Sequence, residues 1–129
     1  MVARSLFAIA CLSVLGACGS ASASTLDASD DLHCSVVAFY FKGLAEHKGA
    51  PADQLRATAV VDAWYAAKVR EIAPTRWKDL DASLAEMAPV LEAVKADPMA
   101  ATDEHMACAK RATEDPSFAA FAKAPASAS

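Results

Sequence analysis

The feature that most restricts this chain is the stretch from Asp30 to His47, which is apolar on nearly every side when wound as a helix. At about 100° per residue, Cys34, Val37, Tyr40, Phe41, Leu44 and Ala45 share one broad side. Leu32, Val36 and Phe39 extend the apolar surface beyond it, leaving only a polar strip around Ser35, Lys42 and Glu46. Such a helix is stable in water only when other elements surround it. The rest of the chain therefore has to pack around this segment, and Cys34 lies on its inward side, where a distant cysteine can reach it.

With 129 residues the chain has room for one domain. Four glycines and abundant alanine favour helix over sheet. The pattern predicts an all-α fold, a small four-helix bundle over residues 29–123 with one disulfide, following a cleaved signal peptide. Helix 1 has Ser29 as its N-cap, with Asp30 and Asp31 complementing the helix dipole. Gly49 ends it in the left-handed conformation that a C-cap needs. Helix 2 starts at Pro51 and runs to about Ile72, where Pro74 stops it. Ala57, Val60, Val61, Trp64, Val69 and Ile72 form its inner side, flanked by Tyr65.

In helix 3, Trp77, Leu80, Leu84, Met87, Leu91 and Val94 are spaced three, four, three, four and three apart, which reads as a narrow core seam. Pro89 falls opposite the seam, where a bent helix is convex and tolerates a missing hydrogen bond. Asp97-Pro98 then opens helix 4, roughly Met99 to Ala112, and Asp115-Pro116 opens a short piece bearing Phe118 and Phe121. Residues 124–129 have nothing to bury and read as a disordered tail.

The N-terminus carries an export signal. Met1 to Arg4 is a short basic region, and Leu6 to Leu15 is an apolar core too short to span a bilayer. Two cleavage readings stand side by side. Ala21-Ser22-Ala23 matches a signal-peptidase site, making residues 1–23 the signal peptide of a soluble protein. Leu15-Gly16-Ala17-Cys18 resembles a lipobox, which would make residues 1–17 a lipoprotein signal, Cys18 the lipidated residue and 18–28 a tether. In either case the domain is expected in the periplasm, and it touches a membrane only through that lipid anchor.

Export also accounts for the cysteines. Cys11 and Cys18 belong to the leader or anchor, so Cys34 and Cys108 remain, and two cysteines in an oxidising compartment pair most simply as a disulfide. The competing reading is a metal site of His33, Cys34, His105 and Cys108, the donor set of tetrahedral zinc. His105 and Cys108 would share a helix face, but the adjacent His33 and Cys34 diverge by about 100° on theirs. Asp30 and His33 have the spacing of a helical di-metal motif, yet only one such motif is present, at a helix start, so capping explains the aspartate. His47 is placed to complement the C-terminal end of helix 1.

Trp64, Tyr65, Lys68, Arg70, Arg76 and Lys78 interleave aromatic and cationic residues and form the candidate interaction patch, since aromatic and arginine side chains dominate binding hot spots. The plainer reading is that the tryptophans fill the core and the cations offset the dipole at the end of helix 2. The formal charge of −4, or −5 once Arg4 leaves with the leader, argues against a general nucleic-acid footprint. No nucleophile elbow, zinc-protease motif, phosphate-binding glycine loop or haem attachment motif occurs, so neither catalysis nor a cofactor is expected.

The order Asp31-Leu32-x-Cys34, Trp64-Tyr65 followed by Lys68 and Arg70, then Pro74, Asp79-Leu80 and Cys108 resembles a group of small exported helical proteins of Gram-negative bacteria whose function is unknown. The likeness spans about Asp31 to Arg111. It implies a helical fold with a single disulfide and supplies no activity. The combined expectation is an exported, non-catalytic domain that works by contact with an envelope protein or glycan, the alternative being a metal or small-ligand binder using His33, His105 and the cysteines.

Overall fold

The computed structural model describes residues 26–124. The leader, Cys18, the tether as far as Thr25 and the tail from Pro125 lie outside the described residues. All the regular structure described is helical: α1 (Asp31–His47), α2 (Ala52–Arg76), α3 (Leu80–Ala96), α4 (Pro98–Glu114) and the short α5 (Phe118–Lys123). α1 is the central element and packs against α2, α3 and α4. Its Leu32, Cys34, Val36, Val37, Ala38 and Ala45 are buried, while Tyr40, Phe41 and Leu44 are half-buried.

Local chemistry sets most helix ends. Asp30, rather than the expected Ser29, caps α1, its carboxylate accepting the Leu32 amide at 2.8 Å. Ser29 instead donates to Asp27. Gly49 adopts φ 63° after the α1 C-cap. The Gly49 and Ala50 amides close back on the Glu46 and Ala45 carbonyls at 3.1 and 3.0 Å, which is the Schellman arrangement. Asp79 and Asp97 cap α3 and α4 by accepting the Ala82 and Ala100 amides, and Pro98 opens α4 as expected. Asp115 accepts the Ser117 amide and hydroxyl, turning the chain into α5.

Cys34 and Cys108 are fully buried and disulfide-bonded, with their Cα atoms 5.5 Å apart. Around this bond lie Ala38, Val61, Trp64, Tyr65 and Ala112, with Phe118 and Phe121 edge-on to Trp64 at 5.3 and 5.2 Å. The Tyr65 hydroxyl donates to the Cys108 carbonyl at 2.5 Å. A second, smaller core joins Val37, Val94 and Ala101. Leu26 packs against this second core and Ala28 against the first, so the expected tether is already anchored before residue 28.

Three expectations are corrected. α2 continues through Pro74 to Arg76 instead of stopping near Ile72. A proline this close to a helix end removes one hydrogen bond, and that last turn is held by Arg76 and by the buried Trp77, whose amide bonds the Ala73 carbonyl. Trp77 is thus the extended residue that ends α2, not the first residue of α3.

α3 itself is one helix through the exposed Pro89, but its core side is Val90 and Val94. Leu80 and Leu84 of the expected seam are 71% and 51% exposed. α3 packs against α1 and α4; of the expected seam, Trp77 and Val94 are buried, while Leu84, Met87 and Leu91 line an open groove. Finally, Ser35 of the expected polar strip is buried at the floor of that groove, while Phe39 is 67% exposed.

The disulfide closes a long stretch of chain, a separation of 74 residues, worth roughly 4 kcal/mol in the chain-entropy model. Typical domain stability is about 5–15 kcal/mol. Replacing both cysteines by alanine should therefore lower the unfolding free energy by about 2–5 kcal/mol. Urea titration followed by circular dichroism checks this, and an unchanged midpoint would contradict it.

Candidate functional site

The aromatic–cationic residues singled out from the sequence do not form one patch. Trp64, Tyr65 and Lys68 face α4 and the start of α1, where they line an open recess of about 200 Å³ with Asp31, Arg111 and Asp115. Trp64 and Tyr65 are buried in the disulfide core and form the inner wall of the recess. The Lys68 ammonium lies 4.5 Å from the Trp64 ring centroid and the Arg111 guanidinium 5.2 Å from that of Tyr65. Cations over aromatic faces are attracted by the ring quadrupole, so each aromatic residue holds a cation at the rim.

Arg111, Asp31 and Asp115 complete the recess; the sequence marks Asp31 and Asp115 only as helix-start residues and gives Arg111 no site role. Arg111 donates to the Asp31 carboxylate at 2.6 Å and to the Ser29 carbonyl at 3.1 Å, tying α4 to the start of α1, while its Nε has no hydrogen-bond partner among the described residues. Burial draws the Arg111 pKa down, but the neighbouring Tyr65 and Asp31 outweigh it and keep the guanidinium charged. Burial pushes the Tyr65 hydroxyl up, keeping it protonated as a donor to Cys108. The Ser117 hydroxyl and amide hold the Asp115 carboxyl below its ordinary value. The recess therefore presents two cations and two carboxylates against aromatic walls, Arg111 paired to Asp31 and Lys68 only loosely held. Its groups are suited to binding a charged ligand, and none of them is arranged as a nucleophile with its base.

The other cations of the sequence patch lie elsewhere. Arg76 donates to both carboxylate oxygens of Asp30 at 3.0 Å and to Glu86 at 2.8 Å, and stacks on Trp77 at 5.1 Å. It is a strut joining the end of α2 to the starts of α1 and α3. Lys78 is solvent-exposed beside Asp79. Arg70 is exposed on a different side of α2, away from the recess.

The four candidate metal ligands are not brought together. Cys34 and Cys108 are joined to each other. His33 accepts the Asp27 amide at 3.0 Å, and His105 stacks flat on Phe41 at 4.5 Å. Burial lowers the His105 pKa, which favours its neutral form. Among the described residues, no group of histidine, cysteine and carboxylate side chains is placed to hold a metal ion. Comparisons of the chain with protein-family models, curated proteins and solved structures find no match.

The Arg76 strut has a pH signature. Burial would raise the Asp30 carboxyl, but hydrogen bonds from Arg76 and the Leu32 amide, with the Arg76 charge, hold it below its ordinary value of 3.8. A carboxyl lowered in the folded state stabilises the fold above its unfolded pKa and loses that contribution as pH falls through the folded value. Arg76→Ala should thus cost about 1–2 kcal/mol near neutral pH. The gap from wild type should narrow as pH drops below about 4. Urea midpoints measured across that range check both parts.

Proposed function

We propose that this chain is an exported, non-catalytic domain that works by contact with another component of the cell envelope, through the recess at Trp64, Lys68 and Arg111. Export rests on the basic and apolar leader with its two cleavage motifs, and on a cystine suited to an oxidising compartment. The observation that carries the contact role is the pair of neighbouring aromatic rings, each with a cation over its face, opening into one recess. Buried aromatic residues with a cation beside them are the composition of binding hot spots. A carboxylate or other anionic group on an envelope protein or glycan fits this chemistry. Lys68 is the residue free to receive it, because its ion pair to Glu71 is loose at 3.9 Å, whereas Arg111 is already committed to Asp31.

Lys68→Gln separates the binding role from the fold. The side chain is partly exposed and its one weak ion pair contributes little, so the variant should unfold at the wild-type urea midpoint. Processed wild-type protein should retain an envelope component on a column, with retention weakening as salt rises, and Lys68→Gln should lose it. A folded variant that retains everything the wild type retains at every salt concentration would contradict the assignment of the recess.

A further inference from the structure

α2 has a second exposed side. On the flank away from the recess, α1, α2 and α3 enclose an open groove of about 580 Å³. Ser35 and Val36 of α1 form its floor, Ala66 of α2 one wall, and Leu84, Met87 and Leu91 of α3 the other. The groove exists because α3 docks through Val90 and Val94, leaving Leu84, Met87 and Leu91 on its neighbouring side. Leu84 and Phe39 stand at its rim, more than half exposed, with the exposed Leu80 one turn before Leu84. A contiguous apolar patch of this kind marks an interaction site.

Charge narrows the choice of occupant. Asp62, Ala66 and Arg70 follow one another at intervals of four along one row of α2, with the acid in the groove wall and the arginine exposed beyond it. Neither makes an ion pair or hydrogen bond among the described residues, and Lys42 and Glu46 act on Asp62 only from a distance. Reversing such a row about Ala66 sets an acid against an arginine at each end. A two-fold axis performs that reversal when two copies of one chain meet, because such an interface applies the same patch to itself. The patch also offers both halves of an apolar contact, a groove to receive and a leucine ridge to insert. The small Ala66 side chain lets the helices approach closely. A lipid acyl chain would fill the groove but would give neither Asp62 nor Arg70 an ion-pair partner.

We infer that the groove is closed by a second copy of this chain in a two-fold dimer. The Leu80–Leu84 ridge of each copy enters the groove of the other, and Asp62 of each meets Arg70 of its mate. The recess of the proposed envelope contact stays open on the opposite flank of α2 in both copies, so the two surfaces stand or fall separately.

Sedimentation equilibrium of the processed full chain tests the dimer. Wild type should fit a monomer–dimer equilibrium. Leu84→Glu in the groove, or Asp62→Arg and Arg70→Asp singly, should raise the dissociation constant on the order of a hundredfold, since each sets a charge in apolar surroundings or against its like. The double variant Asp62→Arg/Arg70→Asp should recover dimerisation, a restoration that general destabilisation does not produce. Circular dichroism checks that each variant is folded. A wild type that stays monomeric up to its solubility limit overturns the inference, whether or not lipid or another protein then fills the groove. A dimer insensitive to Leu84→Glu, or a double variant that remains dissociated, overturns it as well.

Discussion

The fold depends on one junction, where the Cys34–Cys108 disulfide ties α1 to α4 and the Tyr65 hydroxyl of α2 bonds the Cys108 carbonyl. Three helices meet there through one covalent bond and one buried hydrogen bond, with Trp64 packed alongside. The arrangement suits a domain whose long helix α2 is rich in alanine and buries few large side chains. Burial of a cystine, a tyrosine and a tryptophan at one point supplies apolar area that the alanine-rich remainder lacks. Arg111 and Arg76 brace the same end of the bundle by pairing with Asp31 and Asp30 at the start of α1.

The periphery follows from this concentration. With α1, α2 and α4 fixed at the junction, α5 needs only Phe118 and Phe121 against Trp64 to dock. α3 is held by its C-terminal half, through Val94 in the smaller core with Val37 and Ala101, and by the reach of Arg76 to Glu86. Of the four long helices, α3 buries the fewest residues, Val90 and Val94, and it is the one that leaves apolar surface uncovered. α2 consequently divides its surface three ways: Trp64 and Tyr65 inward and toward the recess, Asp62 and Ala66 toward the groove, and Arg76 as a strut at its end.

The parts of this architecture that were legible in the sequence are those governed by local chemistry or simple arithmetic. The all-round apolarity of α1 identifies the central helix, Gly49 and Asp97-Pro98 mark helix ends, and Cys34 and Cys108 pair with each other. What stayed hidden depends on partners distant along the chain. The regular spacing of Leu80, Leu84, Met87 and Leu91 says that one side of α3 is apolar, and spacing alone cannot say whether that side is covered. Arg76 finds Asp30 across 46 residues and Arg111 finds Asp31 across 80. No local pattern announces either pair, so the sequence names Arg76 among the patch candidates without its partner and gives Arg111 no role. Pro74 shows the same override: the local rule ends the helix, and the buried Trp77 with the paired Arg76 carries it on.

One measurement addresses both the cystine junction and the proposed export: the non-reducing intact mass of the protein purified from its own cells, with peptide mapping. The chain should begin at Ser24 or at a lipidated Cys18 and be lighter than its reduced form by two hydrogen atoms. Cys34 and Cys108 should appear in a single disulfide-linked peptide. A chain that keeps Met1 and whose Cys34 and Cys108 both react with a thiol reagent before reduction would contradict it.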